Sequence, residues 1–585
     1  MAGSQEFCFC PGCTSGFQEY LKKQYGSLQE LNKEWDANCS SWDQARPIAL
    51  SDARRDGKCA QWTDFRLYME EVFTDLNAFC RTEIQRIDPE AVVGFNEPQG
   101  ATSYRGISWW RLLNKLDMCG LYLPRGMNHT DVPVEIARSF LKEGRQGTVF
   151  GGWIGCYGYS EEFNRCMPWR ILFHGGESMW NWMGYCHDGP GGWTALTPDL
   201  VPLPYVVQHC EEINEIKRGI GKLLLHSQRV NDGIAIHYSP LSVHASTIEP
   251  SKTTIIESQK SFVYALEDIG LQYNFVANEQ IEAGELERGK YKVLVLPYAQ
   301  ALSSAEVKKI KDFVQNGGWL ITDFSPGIMD QHCKRLPSSP LQEVFGSFES
   351  GMKTNAYGKG KAVYLDNLLK DYIALRSAGN EGNTREKLKE VLALAGVKPR
   401  LKLTTPSGAD LEATETVFFR NGDIEYLCVL KDYFNVKELL KKDVAIDFPY
   451  RAHVYDVRRN EYLGQVHTIK SEIAPARAKV FALLPYKVSE VSLTLDKKAY
   501  NPGDAVSHEA KIVTSTGRAS MHCLRLELVG PDGQTPRHYS QNLLAQNGAH
   551  SGKILLSLNE KRGKWELTVK DIVSGVTGRR KFTVE

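Results

Sequence analysis

Residues 292–323, KVLVLPYAQALSSAEVKKIKDFVQNGGWLITD, decide the fold of the middle of the chain. The apolar run over 292–297 predicts a buried strand, and the helical spacing of apolar residues predicts a helix over 304–316. Two glycines then break the helix before a second apolar run over 319–323. A strand, a helix and a strand in this order predict a βαβ unit with parallel strands.

The same alternation precedes this unit. A strand is predicted over 233–238, a helix over 258–269 and another strand over 271–275. Together these segments predict a flavodoxin-like, doubly wound α/β domain over 230–395. No G-x-G-x-x-G turn follows its first strand, so the sequence gives no support for a dinucleotide site.

The rest of the chain divides on either side of this domain. With 585 residues and about 150 residues per domain, roughly four domains are expected. Region 1–229 begins with helices and continues with four short strands alternating with helices, which favours a parallel sheet covered by helices. Alternating segments predict a β-sandwich over 396–487 and a second β domain over 488–585.

Composition excludes several classes of protein. Lys plus Arg and Asp plus Glu both number 70, so the formal net charge is zero, which argues against nucleic acid or an anionic membrane as the main partner. No run of 18 or more apolar residues is present, so no spanning helix is predicted. Residues 1–6 contain no signal-peptide pattern, and the many cysteines in a large domain fit reduced thiols, which favours the cytoplasm.

The motif Cys8-Phe-Cys10-Pro-Gly-Cys13 is the sharpest local signal in the chain. Three thiolates within six residues can converge on one tetrahedral zinc ion if the loop turns at Pro-Gly. A fourth ligand is needed, for which Cys39 and Cys59 are candidates in this chain and an upstream residue is another. The alternative is three free thiols beside a helix. A closed thiolate site would be structural, because it leaves no open position for substrate.

Aromatic residues crowd into the end of the first region, between three pairs of glycines. Aromatic faces stack on sugar rings, so the cluster favours a carbohydrate site, although any single tryptophan is more often part of a core. The predicted sugar-binding residues are those of this cluster and two at predicted strand ends: Trp153, Tyr157, Trp180, Trp182, Asn96 and Tyr122.

Two carboxylates are placed where a glycosidase in a parallel α/β barrel needs them, at the carboxyl ends of strands. Glu97 follows Asn96 at the end of a predicted strand, and Glu161 follows another strand by a loop of several residues. Both are catalytic candidates, although a solvated surface carboxylate is the commoner identity for either one. Glu177 precedes its strand and therefore lies at the wrong end.

Several motifs resemble glycoside hydrolase family 42, the β-galactosidases. The cysteine motif is followed by FQEYL at 17–21, YGSL at 25–28 and LNKEW at 31–35, similar to the stretch after the fourth barrel strand of that family. NDGIAIHYS at 231–239 and YGKGK at 357–361 resemble the family's trimerisation domain. The likeness covers residues 8–395, whereas the last domain is more similar to an immunoglobulin-type accessory module.

The resemblance implies a retaining β-galactosidase on a TIM barrel that assembles as a homotrimer. The family's acid/base glutamate ends strand four in an Asn-Glu pair, and Glu6 does not match it. Gly152 or Trp153 stands where the family has its nucleophile. The resemblance therefore implies that region 1–229 is the C-terminal half of a barrel with an incomplete catalytic pair. The other half would come from a second polypeptide, or the half barrel would pair with itself. The resemblance also implies that Cys8, Cys10 and Cys13 match three of the family's zinc ligands, the fourth lying upstream.

Two other functions are weighed against this one. A non-catalytic carbohydrate-binding or assembly protein would use the aromatic cluster and the β domains without hydrolysis. A zinc-dependent hydrolase fails on ligand type, since no H-E-x-x-H motif occurs. The leading prediction is a β-galactosidase-like protein, with little or no hydrolysis by this chain alone.

Overall fold

The protein is described here by a computed structural model, which covers residues 8–96, 103–104, 107–123, 131–141, 149–154, 160–181, 184, 195–250 and 254–585. The chain forms two compact units. The first comprises Met1–Ile154, Asn231–Leu266 and Gln272–Lys398, and the second comprises Gly155–Val230, Glu267–Leu271 and Pro399–Glu585. Among the described residues, no helix has the length and apolar character needed to cross a bilayer.

The first unit opens with a helical layer, as predicted. Its helices are α1 (Pro11–Tyr25), α2 (Leu28–Trp35), α3 (Leu50–Asp56) and α4 (Cys59–Ile87), with a short 3-10 turn at Trp42–Gln44. The Ser27 side chain accepts a hydrogen bond from the Glu30 amide and so caps α2. Buried Phe17, Leu31 and Phe65 pack the first, second and fourth of these helices together.

Short strands alternate with helices in the next part of the chain. The elements are β1 (Gly94–Asn96), α5 (Trp109–Leu113), β2 (Met118–Leu123), α6 (Asp131–Phe140), β3 (Val149–Ile154), α7 (Glu161–Phe173) and β4 (Ser178–Asn181). Strands β1, β2 and β3 pair in parallel, with Asn96 opposite Gly120 and Leu123 opposite Ile154. The four strands predicted from the sequence are therefore present.

The second unit then adds a kinked helical segment. It consists of α8 (Pro204–Glu215), a π-helical turn (Ile216–Ile220), α9 (Gly221–Leu225) and the short strand β5 (Gln228–Arg229). Gly219 lies at the kink with φ of 137°, a conformation that other residues rarely adopt.

The predicted doubly wound domain is confirmed. Its elements are β6 (Ile234–Tyr238), α10 (Pro240–Ile248), α11 (Ile255–Ile269), β7 (Tyr273–Ala277), α12 (Asn278–Glu282), α13 (Glu285–Arg288), β8 (Val293–Leu296), α14 (Ser304–Gln315), β9 (Trp319–Thr322), α15 (Gln342–Phe345), β10 (Lys353–Tyr357), β11 (Gly360–Tyr364), α16 (Tyr372–Ala378) and α17 (Gly382–Leu394). The sheet order is β10-β11-β9-β8-β6-β7, in which β10 alone is antiparallel. Its five parallel strands follow the 2-1-3-4-5 order of flavodoxin.

The third region is an antiparallel β domain. Its strands are β12 (Lys402–Thr404), β13 (Thr414–Asn421), β14 (Ile424–Lys431), β15 (Lys442–Asp456), β16 (Glu461–Ile473) and β17 (Lys479–Leu484). They form one seven-stranded sheet with β5, in which a register shift between Asp447 and Ala452 divides β15 into a half paired with β12 and a half paired with β17. The bent sheet encloses a core that includes Phe418, Ile446 and Phe481.

The last region is a two-layered β-sandwich. Its strands are β18 (Val488–Leu495), β19 (Ala499–Tyr500), β20 (Ala505–Thr514), β21 (His522–Val529), β22 (Gln541–Ala545), β23 (Ala549–Leu555), β24 (Gly563–Asp571) and β25 (Thr577–Val584), with a 3-10 turn at Arg537–Tyr539. A three-stranded sheet, β18-β20-β23, packs on a five-stranded sheet, β19-β25-β24-β21-β22. Buried Leu493, Leu524 and Leu567 belong to their shared core, so the predicted β architecture is confirmed.

Candidate functional site

The structure brings the three predicted zinc ligands together. One sulfur atom from each of Cys8, Cys10 and Cys13 lies within 4.8 Å of the other two. Cys10 is the N-cap of α1, where its sulfur accepts a hydrogen bond from the Cys13 amide at 3.4 Å, and Pro11 starts the helix. That amide and the neighbouring thiols lower the pKa of Cys10 to about 7, whereas burial and the same neighbours raise the pKa of Cys13 to about 12.

This group fits a zinc ion with three sulfur ligands. Sulfur is a ligand that zinc prefers, and zinc bound at a helix N-terminus would hold the thiols as thiolates. Neither Cys39 nor Cys59 belongs to the group, and the described residues supply no fourth Cys, His, Asp or Glu ligand to it. Instead Cys59 packs in a separate apolar cluster, where burial raises its pKa.

The carboxyl ends of β1, β2 and β3 form one edge of the first unit. Asn96 ends β1 and is exposed there, as the prediction of a strand-end position requires. Tyr122 and Trp153 are register partners near the ends of β2 and β3, so their backbones lie side by side. Glu97, the predicted carboxylate after Asn96, falls outside the described residues.

The aromatic cluster is described only in part. Trp180 lies in β4 of the second unit with 36% of its surface exposed. Tyr157 and Trp182 are outside the described residues. Sugar binding by this cluster stays a prediction.

Glu161 lies in the first turn of α7, after the Ser160 N-cap. Its carboxylate is 2.8 Å from Arg165 Nε and 2.7 Å from Arg477 Nη2, and it is 44% exposed. The hydrogen bond from Arg165 lowers the pKa of Glu161, so it is held as an anion. This geometry suits a surface ion pair and opposes proton donation by Glu161, whose catalytic role stays a prediction.

Sequence reasoning missed a buried carboxylate in the first unit. Asp64 on α4 is 0% exposed and accepts hydrogen bonds from Trp35 Nε1 at 2.7 Å and Tyr25 hydroxyl at 2.6 Å. His332 Nδ1 lies 2.6 Å from its other oxygen. Burial alone would lower the pKa of His332, but Asp64, with Glu34 nearby, raises it. Asp64 and His332 are 268 residues apart in the chain, so no local sequence pattern predicts their contact. Because the network is buried, we assign it a structural role.

A second buried acid-histidine pair joins α4 to α10. Glu70 Oε1 is 3.1 Å from His244 Nε2, and the Nδ1 of the same ring is 2.8 Å from the Ser103 hydroxyl. The Trp62 ring packs edge-on against this imidazole, with the ring centroids 6.1 Å apart. All four side chains are buried, so the pair links α4 to α10 inside the first unit.

A third acid-histidine group lies in the second unit. His174 Nε2 is 3.2 Å from the Glu415 carboxylate, and one carboxylate oxygen of Glu267 lies within 4.8 Å of both. Burial alone would raise the pKa of Glu415, but His174, Arg229 and Arg170 hold it below its usual range. Because two guanidinium groups already supply positive charge, the geometry favours a balanced ionic cluster over a cation site.

Two stretches match family models. Residues 1–123 match the β-galactosidase model of glycoside hydrolase family 42, and residues 233–354 match the β-galactosidase trimerisation domain of the same family. The two matched stretches make the chain similar to glycoside hydrolase family 42. The first stretch comprises α1 to α5 with β1 and β2, and the second comprises most of the doubly wound domain.

Curated β-galactosidases show the same likeness. A β-galactosidase of Geobacillus kaustophilus is 21% identical over 373 residues, which cover 58% of this chain and 52% of the relative. A β-galactosidase of Clostridium perfringens is 21% identical over 519 residues, covering 79% of this chain and 71% of that one. The chain spans about half the length of most of the curated relatives that it matches.

Solved structures show the same fold. The β-galactosidase of Bacillus circulans sp. alkalophilus superposes with a TM-score of 0.65 at 16% identity, covering 82% of this chain and 78% of that one. A family 42 exo-carrageenase of Bacteroides ovatus superposes with a TM-score of 0.57 at 13% identity, covering 80% and 62%. At these identities the likeness establishes the fold alone.

Proposed function

We propose that this protein is a member of glycoside hydrolase family 42 and acts in the hydrolysis of terminal β-galactosides with retention of configuration. The observation that carries the proposal is that two stretches of the chain match two family 42 models and that its fold resembles that of a solved β-galactosidase. Asn96 ends a parallel strand at the edge where an α/β barrel carries its catalytic groups, which supports a site there.

We also propose that the residues of this chain supply an incomplete catalytic pair. A retaining glycosidase needs two carboxyl groups about 5 to 5.5 Å apart, one of which must carry a proton. The two arginines on Glu161 oppose that protonated state. Hydrolysis therefore requires further βα units from the family's barrel.

The structure offers a surface that such units would cover. Strand β1 pairs only with β2 among the described strands of the first unit. Helix α4 next to it leaves Leu76, Phe79 and Ile87 at 56%, 62% and 79% exposed. Additional βα units packed here would bury this apolar surface, as in a closed barrel.

The test measures release of 4-nitrophenol from an aryl β-galactoside, with the aryl β-glucoside and α-galactoside as controls. The chain is assayed alone and after adding the first four βα units of a family 42 β-galactosidase as a separate polypeptide. We expect little turnover alone and a rise of about a hundredfold or more on mixing, specific for the β-galactoside, because a general acid is then present. No turnover of any substrate by the mixture would contradict the proposal.

Variants test the carboxylate candidates. Glu161→Gln is compared with Glu211→Gln, a matched exposed carboxylate that also pairs with Arg165. Both are expected to retain the turnover of the mixture. Turnover by the chain alone that is abolished by Glu97→Gln or Glu161→Gln would refute the incomplete pair.

A further inference from the structure

The last β domain contains a cleft lined by basic residues. It has a volume of about 570 Å³ and lies beside the end of β18, the turn before β19, and strands β24 and β25. Five cationic side chains line it, and we call it the cationic cleft: Lys497, Lys498, Lys564, Arg580 and Lys581. The other lining residues are Thr494, Leu495, Phe582 and Thr583, so no carboxylate is among them.

Little negative charge lies close to the five cations of the cationic cleft. All five cations are exposed, and in the described part of the chain only Lys581 has a carboxylate within 4 Å, Glu566 at 3.9 Å. Glu566 is closer to Arg579, at 3.0 Å. Five like charges around one concavity repel each other and concentrate a positive potential, which an anionic ligand would relieve.

The backbone holds these cations in place. Lys564 lies opposite Thr583 in the antiparallel pair β24–β25, and Ala499 lies opposite Thr583 in the parallel pair β19–β25. The turn that carries Lys497 is fixed by the buried Tyr500, whose hydroxyl donates to Asp496 at 2.7 Å and accepts from the Lys497 amide at 3.2 Å.

A second acidic side chain, Asp496, lies in the turn beside the cleft. Asp496 accepts hydrogen bonds from the Tyr500 hydroxyl and from the Ser507 amide at 3.0 Å, so its carboxylate is used within the turn. The cationic groups are thus presented on a rigid frame, as a preformed anion site requires.

We propose that the cationic cleft binds a segment of an acidic polysaccharide, with sulfate or carboxylate groups of the sugar chain held by the lysines and Arg580. A concavity of this size suits a few sugar rings. Its lining presents no exposed aromatic ring for stacking nucleobases and no exposed large apolar side chain for entering a membrane, which argues against those partners. The choice of a carbohydrate rests on the proposed function.

The experiment measures binding of the full chain by biolayer interferometry at about 0.15 M salt. The probes are heparin as the sulfated glycan, polygalacturonate as the carboxylated glycan and a neutral galactan. Single-stranded DNA and vesicles containing phosphatidylserine test the other polyanions. We expect salt-sensitive binding of one or both acidic glycans, none of the neutral galactan, and weaker binding of DNA and vesicles.

Matched variants locate the site. Lys498→Gln with Lys564→Gln removes two cleft charges and is expected to weaken acidic glycan binding about tenfold. Lys511→Gln with Lys553→Gln removes two exposed charges from the other sheet, on β20 and β23, and is expected to leave binding unchanged.

Three results would overturn the inference: no binding of either acidic glycan, an equal loss in both double variants, or tighter binding of DNA or vesicles than of glycans. The hydrolysis assay is run separately. Loss of glycan binding with hydrolysis intact removes the cleft proposal alone, and absence of hydrolysis with binding intact removes the proposed function alone.

Discussion

At the scale of single residues, burial and hydrogen bonding decide which ionisable groups are structural. Asp64 and Glu161 are both carboxylates beside cationic or donor groups, but Asp64 is 0% exposed whereas 44% of the Glu161 side chain is accessible. Removing a partner from a buried charge costs a few kcal/mol, whereas an exposed ion pair contributes less than about 1 kcal/mol. The buried group is therefore the more sensitive to substitution.

His332 should make stability depend on pH. Its pKa is raised in the folded protein, so the stabilisation is fully present below the unfolded pKa of about 6.5 and is lost as the pH rises through the folded pKa. His332→Asn should cost about 1 to 3 kcal/mol at pH 6 and less at pH 9. Thermal unfolding midpoints across this range measure the effect.

The control for this prediction is His226→Asn. His226 is exposed, and its ring Nδ1 lies 2.9 Å from the Lys222 carbonyl, so its replacement should leave the pH profile unchanged. A profile for His332→Asn that runs parallel to that of the unmodified protein would contradict the argument.

The three thiols should bind zinc. We expect about one zinc per chain and almost none in Cys13→Ser, because a site with two sulfurs loses most of its affinity. Chelator treatment should lower the unfolding temperature of the unmodified protein but not that of the variant. The control is Cys80→Ser, which replaces an exposed thiol outside the group. Unchanged zinc content in Cys13→Ser would rule out this site.

At the scale of elements, the periodic segments were predictable and the irregular ones were not. The helix predicted over 304–316 is observed at Ser304–Gln315 because its capping Ser303 and the two following glycines are local signals. The two-residue strand β5 has no sequence pattern of its own and forms because β13 offers it a sheet edge. Likewise the bend in β15 arises from a register shift that involves β12, β16 and β17.

The helical kink at Gly219 should tolerate no side chain. With φ of 137°, a Cβ at this position would also lie 2.5 Å from Ile572 Cγ1. Gly219→Ala should therefore destabilise the second unit by about 1 to 3 kcal/mol in urea unfolding.

The matched substitution is Gly382→Ala at the start of α17. Its Cβ would meet open space and its backbone needs no left-handed conformation, so we expect a change within about 1 kcal/mol, in the stabilising direction. Equal effects of the two substitutions would show that the kink does not require glycine.

At the scale of the whole molecule, we propose assembly as a homotrimer through the doubly wound domain. The match of residues 233–354 to a trimerisation domain supports this proposal. Light scattering after size-exclusion chromatography should give about three times the 65.8 kDa of one chain at micromolar concentration. A mass equal to that of one chain under these conditions would contradict it.

The candidate site was predictable only in part from the sequence. The cysteine group was recognised because its ligands lie within six residues, and Asn96 was placed at a strand end because the strand precedes it directly. The zinc candidates Cys39 and Cys59 were not brought to the group, since their position depends on how helices pack. The ion pairs of Glu161 involve Arg477, 316 positions away, and no local pattern indicates such a partner.

The amino-acid sequence by itself determined the βαβ order of the middle domain, the β character of the last two regions, the cysteine group and the resemblance to family 42, because each is encoded by spacing within a few tens of residues. Only the tertiary structure decided that Asp64 meets His332, that Glu161 is held by two arginines and that five cations surround one cleft. The physical reason is that charge and burial depend on distance in space, which the fold sets between residues far apart in the chain.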